Sequence, residues 1–116
     1  MSSIPLTDAA GQILDTLRRA DLNAHSDPRD LDPPCVWISP SRITPLTLDG
    51  RSCIEWEAYL IAPDTGDPLP HLEALATKAT DALGPLTLTT TAITIANISP
   101  DPLPALTFTL ETETTS

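Results

Sequence analysis

Few residues of this chain could do chemistry. Its histidines are His25 and His71, and its cysteines are Cys35 and Cys53. Neither histidine stands in an HxxxH or HExxH spacing. His71 precedes Glu73 by two residues, which points the two side chains apart on a helix. The cysteines form no CxxC pair. Two thiols and two scattered imidazoles lack the ligand spacing of a zinc site. The thiols therefore read as buried and inert, and neither a metal nor a cofactor is expected. Glu55 and Glu57 flank Trp56 on one face of a strand. Paired carboxylates can serve acid–base chemistry. Here the pair more simply marks a polar sheet face, with a subunit contact or a channel wall as the alternative use. No GxSxG, P-loop or GxGxxG pattern occurs. No catalytic residue is assigned, and the chain reads as a non-enzyme.

The composition narrows the remaining classes. The 116 residues fit one domain with one core. Apolar residues make up 41%, too many for a disordered chain, and the net charge is -10. The basic residues are Arg18, Arg19, Arg29, Arg42, Arg51 and Lys78, and only the first two are adjacent. A polyanion binder needs clustered cations, so tight nucleic-acid binding is not expected, and the charge argues against anionic membranes. No apolar run is long enough for a membrane span. The N-terminus lacks the basic and apolar regions of a signal peptide. A reducing cytosol and free thiols follow as expectations.

The elements that must position these residues follow from periodicity and breakers. Residues 6–19 carry Leu6, Ala10, Ile13, Leu14 and Leu17 as one helical stripe, with Thr7 or Ser3 as cap. Residues 20–34 read as a loop. Residues 35–39 read as a buried strand and residues 42–48 as a second, with Pro45 demoting it to an edge strand or a bulged one. Asp49-Gly50 signals a hairpin turn. Residues 51–62 form a long strand with Ile54, Trp56, Ala58, Leu60 and Ala62 on one face. Cys53, Glu55, Glu57, Tyr59 and Ile61 lie on the other. Trp37 and Trp56 are expected to anchor the core. After a loop at 63–70, residues 71–83 form a second helix stopped by Gly84-Pro85. Residues 86–98 suit one or two strands. Residues 105–111 alternate, with Leu106, Phe108 and Leu110 inward and Thr107, Thr109 and Glu111 outward, and 112–116 are expected to be a loose tail. The expected fold class is α+β in the order α-β-β-β-α-β-β. It is an antiparallel or mixed sheet with both helices on one face.

The lead-in Leu31-Asp32-Pro33-Pro34-Cys35-Val36-Trp37-Ile38 resembles a segment of small tail-assembly proteins from long-tailed actinobacterial phages. The likeness extends over nearly the whole chain. It takes in the long strand Cys53-Ile54-Glu55-Trp56-Glu57-Ala58-Tyr59, the helix ending in Gly84-Pro85 and the closing Pro102-Leu103-Pro104-Ala105-Leu106-Thr107-Phe108. It is similar to the tail terminators of the lambda-like group. The resemblance implies a small sheet packed by two helices and a homo-oligomer, a hexameric ring, that caps the tail tube. It further implies two partners, the tail tube protein and the head-tail connector protein, and a place at the head-proximal end of the virion tail after assembly in the host cytoplasm. DNA would pass through the lumen without specific binding. If acidic residues line that lumen, they keep DNA from sticking.

A ring joins one patch to a different patch on the next copy, and edge strands are natural joining surfaces. Candidate contact residues on the sheet are Arg42, Pro45, Arg51, Glu55 and Glu57. Those outside it are Arg18, Arg19, Arg29, Asp64 and Asp67. Three other readings compete. A head-tail connector or neck protein of the same virion would sit against the portal. An acidic protein-binding module or DNA mimic would need its charge in a stripe. A small enzyme would need convergent polar groups in a pocket.

Overall fold

The computed structural model describes residues 6–27, 29, 31–45, 51–63, 66–94 and 102–115. Helix α1 (Leu6–Arg19) leads into strand β1 (Ala24–His25). Strands β2 (Cys35–Pro45) and β3 (Arg51–Ile61) come next, and then helix α2 (Pro68–Leu83). Strands β4 (Thr89–Ile93) and β5 (Leu103–Thr115) complete the order, an α+β fold. The Asp49-Gly50 turn, Asp64, Ser3, residues 95–101 and Ser116 lie outside the described residues.

The five strands form one mixed sheet in the order β1-β2-β3-β5-β4. Strand β1 runs parallel to β2, and every other pairing is antiparallel. Strands β3 and β4 are thus parallel to each other with β5 inserted between them. A parallel crossover needs a long connection, and α2 supplies it.

Both helices cover one face of the sheet. From α1, Ile13, Leu14 and Leu17 meet Val36, Ile38, Ile54, Trp56, Ala58 and Leu60, while α2 adds Leu75 and Ala79 and β5 adds Phe108. Leu106 and Leu110 are partly buried against the same core. The period-2 reading of β3 and β5 therefore holds, as does the helical stripe of α1. Trp56 is fully buried, and its indole N–H donates to Thr112 Oγ1 at 2.9 Å. Burying such a ring contributes roughly 2–3 kcal/mol.

Several local expectations change. The strand expected at 35–39 and residues 42–45 of that expected at 42–48 are a single strand whose register shifts between Pro40 and Arg42, and residues 46–48 lie outside the described residues. A bulge absorbs the interruption that the sequence presents as a break. The third strand before α2 is instead β1, two residues inside the segment expected to be a loop. Its place follows from the end of α1. Asp21 adopts φ 63°, Asp21 N–H donates to Arg18 O at 3.1 Å, and Leu22 N–H donates to Leu17 O at 3.2 Å. This is the Schellman termination, with aspartate in the left-handed position usually held by glycine. Arg18 then donates through Nε and Nη2 to Ala24 O, at 3.2 and 2.9 Å, and ties β1 to the helix.

Helix α2 starts at Pro68, earlier than residue 71. The Asp67 carboxylate accepts from Leu69 N–H at 3.0 Å, and Pro68 suits the first helical position. Prolines read as loop markers here open the helix. Gly84 ends it with φ 87°, and its N–H donates to Thr80 O at 2.8 Å. Thr7 lies inside α1 and is not its cap. Among the described residues of the 86–98 segment, Thr89–Ile93 is strand, while Leu86 and Leu88 pack on the core. Residues 112–115, expected to be loose, continue β5 and pair with β3 as far as Arg51↔Thr115.

Candidate interaction surface

The sheet face turned away from the helices carries most of the residues of interest. Register places Trp37, Tyr59 and Thr107 in one row, and Ser39, Glu57 and Thr109 in the next. The following row is Arg42, Glu55 and Glu111. At one end the face is apolar: Leu31, Cys35, Ile61, Leu103 and Ala105 form a small cluster with Trp37, Tyr59 and Ile93 packed on it. Leu31 comes from the segment before β2 and covers only this end. The rows holding Glu57, Glu55 and Glu111 are half-buried or exposed.

Trp37 is therefore not a core anchor. Val36 and Ile38 take the helix-facing positions, so alternation turns Trp37 to the other side. There it stacks on Tyr59, with ring centroids 5.4 Å apart and planes at 23°. Its indole N–H donates to Ser26 O at 3.1 Å. The Tyr59 hydroxyl donates to Glu57 Oε2 at 2.9 Å. Burial, aided by that carboxylate, pushes the Tyr59 phenol above its ordinary value.

The remaining candidates are scattered. Pro45 sits on the outer edge of β2, as expected of an edge strand. A proline within a ladder must turn its nitrogen away from the partner strand. Pro40 and Pro45 both pair with β3, so both leave the outer edge without a donor. Together with the bulge they blunt that edge. Arg18 and Arg19 are exposed at the end of α1, in the helix layer. Arg19 lines a shallow groove between the helices with Thr16, Ala20, Asp81 and Ala82. Arg29 pairs within its own loop, with Nη2 at 3.0 Å from Asp27 Oδ2 and Nε at 3.2 Å from Asp27 Oδ1. That guanidinium holds the Asp27 carboxyl below its ordinary value. Asp67 caps α2, and Arg51 opens β3.

The reactive residue types do not converge. Cys35 faces Ile61 and Cys53 faces Thr44, at opposite ends of the β2–β3 ladder, and neither is in a disulfide. Burial pushes the Cys35 thiol up to about 11, opposed in part by the backbone of Asp32. His25 is bound locally: Asn23 Nδ2 donates to Asp32 O at 3.2 Å, which leaves Asn23 Oδ1 to accept from His25 Nε2 at 2.7 Å. His71 lies near the start of α2. Among the described residues no group of three or more His, Cys, Asp and Glu side chains is placed to hold a metal ion. Among the described residues no helix is long and apolar enough to cross a membrane.

The sequence placed Glu55, Glu57 and Glu111 outward on their strands. It did not place Glu111 opposite Glu55, because that needs the β3–β5 register. The Trp37–Tyr59 stack was missed for the same reason, although the alternation of Val36 and Ile38 around Trp37 was its signal. No protein-family model matches this chain, and no curated protein matches it.

Proposed function

We propose that this chain is a structural subunit of the tail-terminator kind, forming a ring that caps a phage tail tube and presents a surface to the head connector. The observation that carries the reading is a sheet with two unlike outer edges. Among the described residues, β2 has a strand neighbour on its outer side only at Val36 and Trp37, and β4 has none. A closed ring joins two different patches. The prolines on β2 disfavour pairing of that edge with itself, the contact that would close a two-fold dimer instead. Strand β4 is short and carries no proline. The lambda-like resemblance of the chain supplies the six-fold symmetry and the tube as partner. A net charge of -10 per copy makes such a ring an acidic collar to which duplex DNA does not adhere.

The dispersal of the described thiols and imidazoles agrees with this reading. Location tests it. Gold-labelled antibody against the chain is expected on the head-proximal ends of free tails as well as on whole particles. Label confined to tail-less heads would move the chain to the neck connector, and particles without label would overturn both assignments.

A further inference from the structure

The open sheet face holds charge that the fold does not need. Glu55 and Glu111 are directly opposite each other across β3 and β5. Like charges so placed destabilise an antiparallel pair. Glu57 lies in the next row on the same face, its carboxylate fixed by the Tyr59 hydroxyl at 2.9 Å. Beside it the stacked, half-buried rings of Trp37 and Tyr59 supply aromatic surface. Carboxylates set against aromatic rings match a cationic side chain, which gains both ion pairing and contact with the π faces. The cations whose backbone positions fall on this face are Arg42, at the row of Glu55, and Arg51, at the start of β3, against Glu55, Glu57, Glu111 and Glu113.

We propose that this face, from the Trp37–Tyr59 stack through Glu57 to Glu55 and Glu111, docks an arginine- or lysine-bearing segment of another protein. A second copy of the chain does not fit. Its helix layer sets Arg18, Arg19 and Lys78 against Asp8, Asp15, Asp21, Glu73 and Asp81, and so is itself acidic. Arg18 is engaged with Ala24 O and Lys78 with Asp21 Oδ2 at 3.2 Å. Arg29, in the loop, is held by Asp27. The complement to the face must come from a different chain. This inference does not depend on ring formation, because it concerns a sheet face and not the sheet edges.

The probe is fluorescein-labelled octa-arginine, read by anisotropy on the whole protein at low salt. Saturable binding is expected. Glu55→Gln/Glu57→Gln weakens it at least tenfold. Asp15→Asn/Glu73→Gln removes the same charge from the helix layer and weakens it less than threefold. Arg42→Ala strengthens binding, and Trp37→Leu weakens it several-fold with the circular dichroism unchanged. Equal losses in the two double variants would reduce the effect to overall charge and overturn the proposal. Absence of binding would overturn it too. A rise in the protein's own mass that only the sheet-face variant abolishes would assign the face to a second copy instead.

Discussion

Glu55 and Glu111 repel across a ladder position where most sheets place a neutral or opposite-charge pair. Glu111→Thr is therefore expected to raise stability by about 0.5 kcal/mol at low ionic strength. Urea denaturation reads the gain, which shrinks in 1 M salt as the repulsion is screened. Trp56 behaves differently, because its value lies in volume and one hydrogen bond to Thr112. Trp56→Ala is expected to cost about 3–5 kcal/mol in the same measurement. The Cys35 thiol, raised to about 11 by burial, adds a pH dependence. The unfolded chain releases this proton first, so the stabilisation is whole below about pH 9 and lost as pH rises through about 11. The raised Tyr59 phenol acts in the same direction. Urea midpoints taken from pH 8 to pH 11 should fall, and Cys35→Ala should flatten part of that fall. A midpoint unchanged over this range would contradict the burial argument.

At the scale of elements, the helices were legible because their apolar spacing is strong and their stops are chemical. Gly84-Pro85 is one such stop. The start of α2 was not, because Pro68 and Pro70 suit a loop and a first helical turn equally well, and only the Asp67 side chain decides. Asp67→Ala is expected to destabilise by about 1 kcal/mol, seen as a lower thermal midpoint. The end of α1 was hidden for a related reason: its left-handed residue is Asp21, not glycine. Asp21→Gly relieves the backbone and forfeits the contact with Lys78, and is expected to change stability by less than about 1 kcal/mol. Asp21→Val is expected to cost more than Asp21→Gly, since a branched side chain tolerates positive φ poorly. Strand faces were readable wherever alternation was clean, as in β3 and β5. The run from Cys35 to Ser39 hid its alternation because both of its faces are apolar. Bulge, register and strand order depend on contacts between distant segments, and these fixed what the sequence left open: the Glu55–Glu111 row, the Trp37–Tyr59 stack and the insertion of β5 between β3 and β4.

The whole molecule is elongated, with a radius of gyration of 14.9 Å and extents of 51 × 29 × 22 Å. A compact chain of this length is expected near 13 Å. The excess length lies along β2, β3 and β5, which pair over ten positions or more. A long sheet with helices on one face and, among the described residues, a partly exposed, charged surface on the other suits a part that works by contact with neighbours. The dispersal of thiols and imidazoles fits the same use. Assembly through these surfaces, as proposed, is read most directly as mass. On the proposed terminator reading, light scattering of the purified chain, alone and with phage tail tubes, is expected to show a ring-sized increment on the tubes. End-on images of those tubes should show six-fold density. A chain that stays monomeric at every concentration and leaves the tubes unchanged would contradict the account.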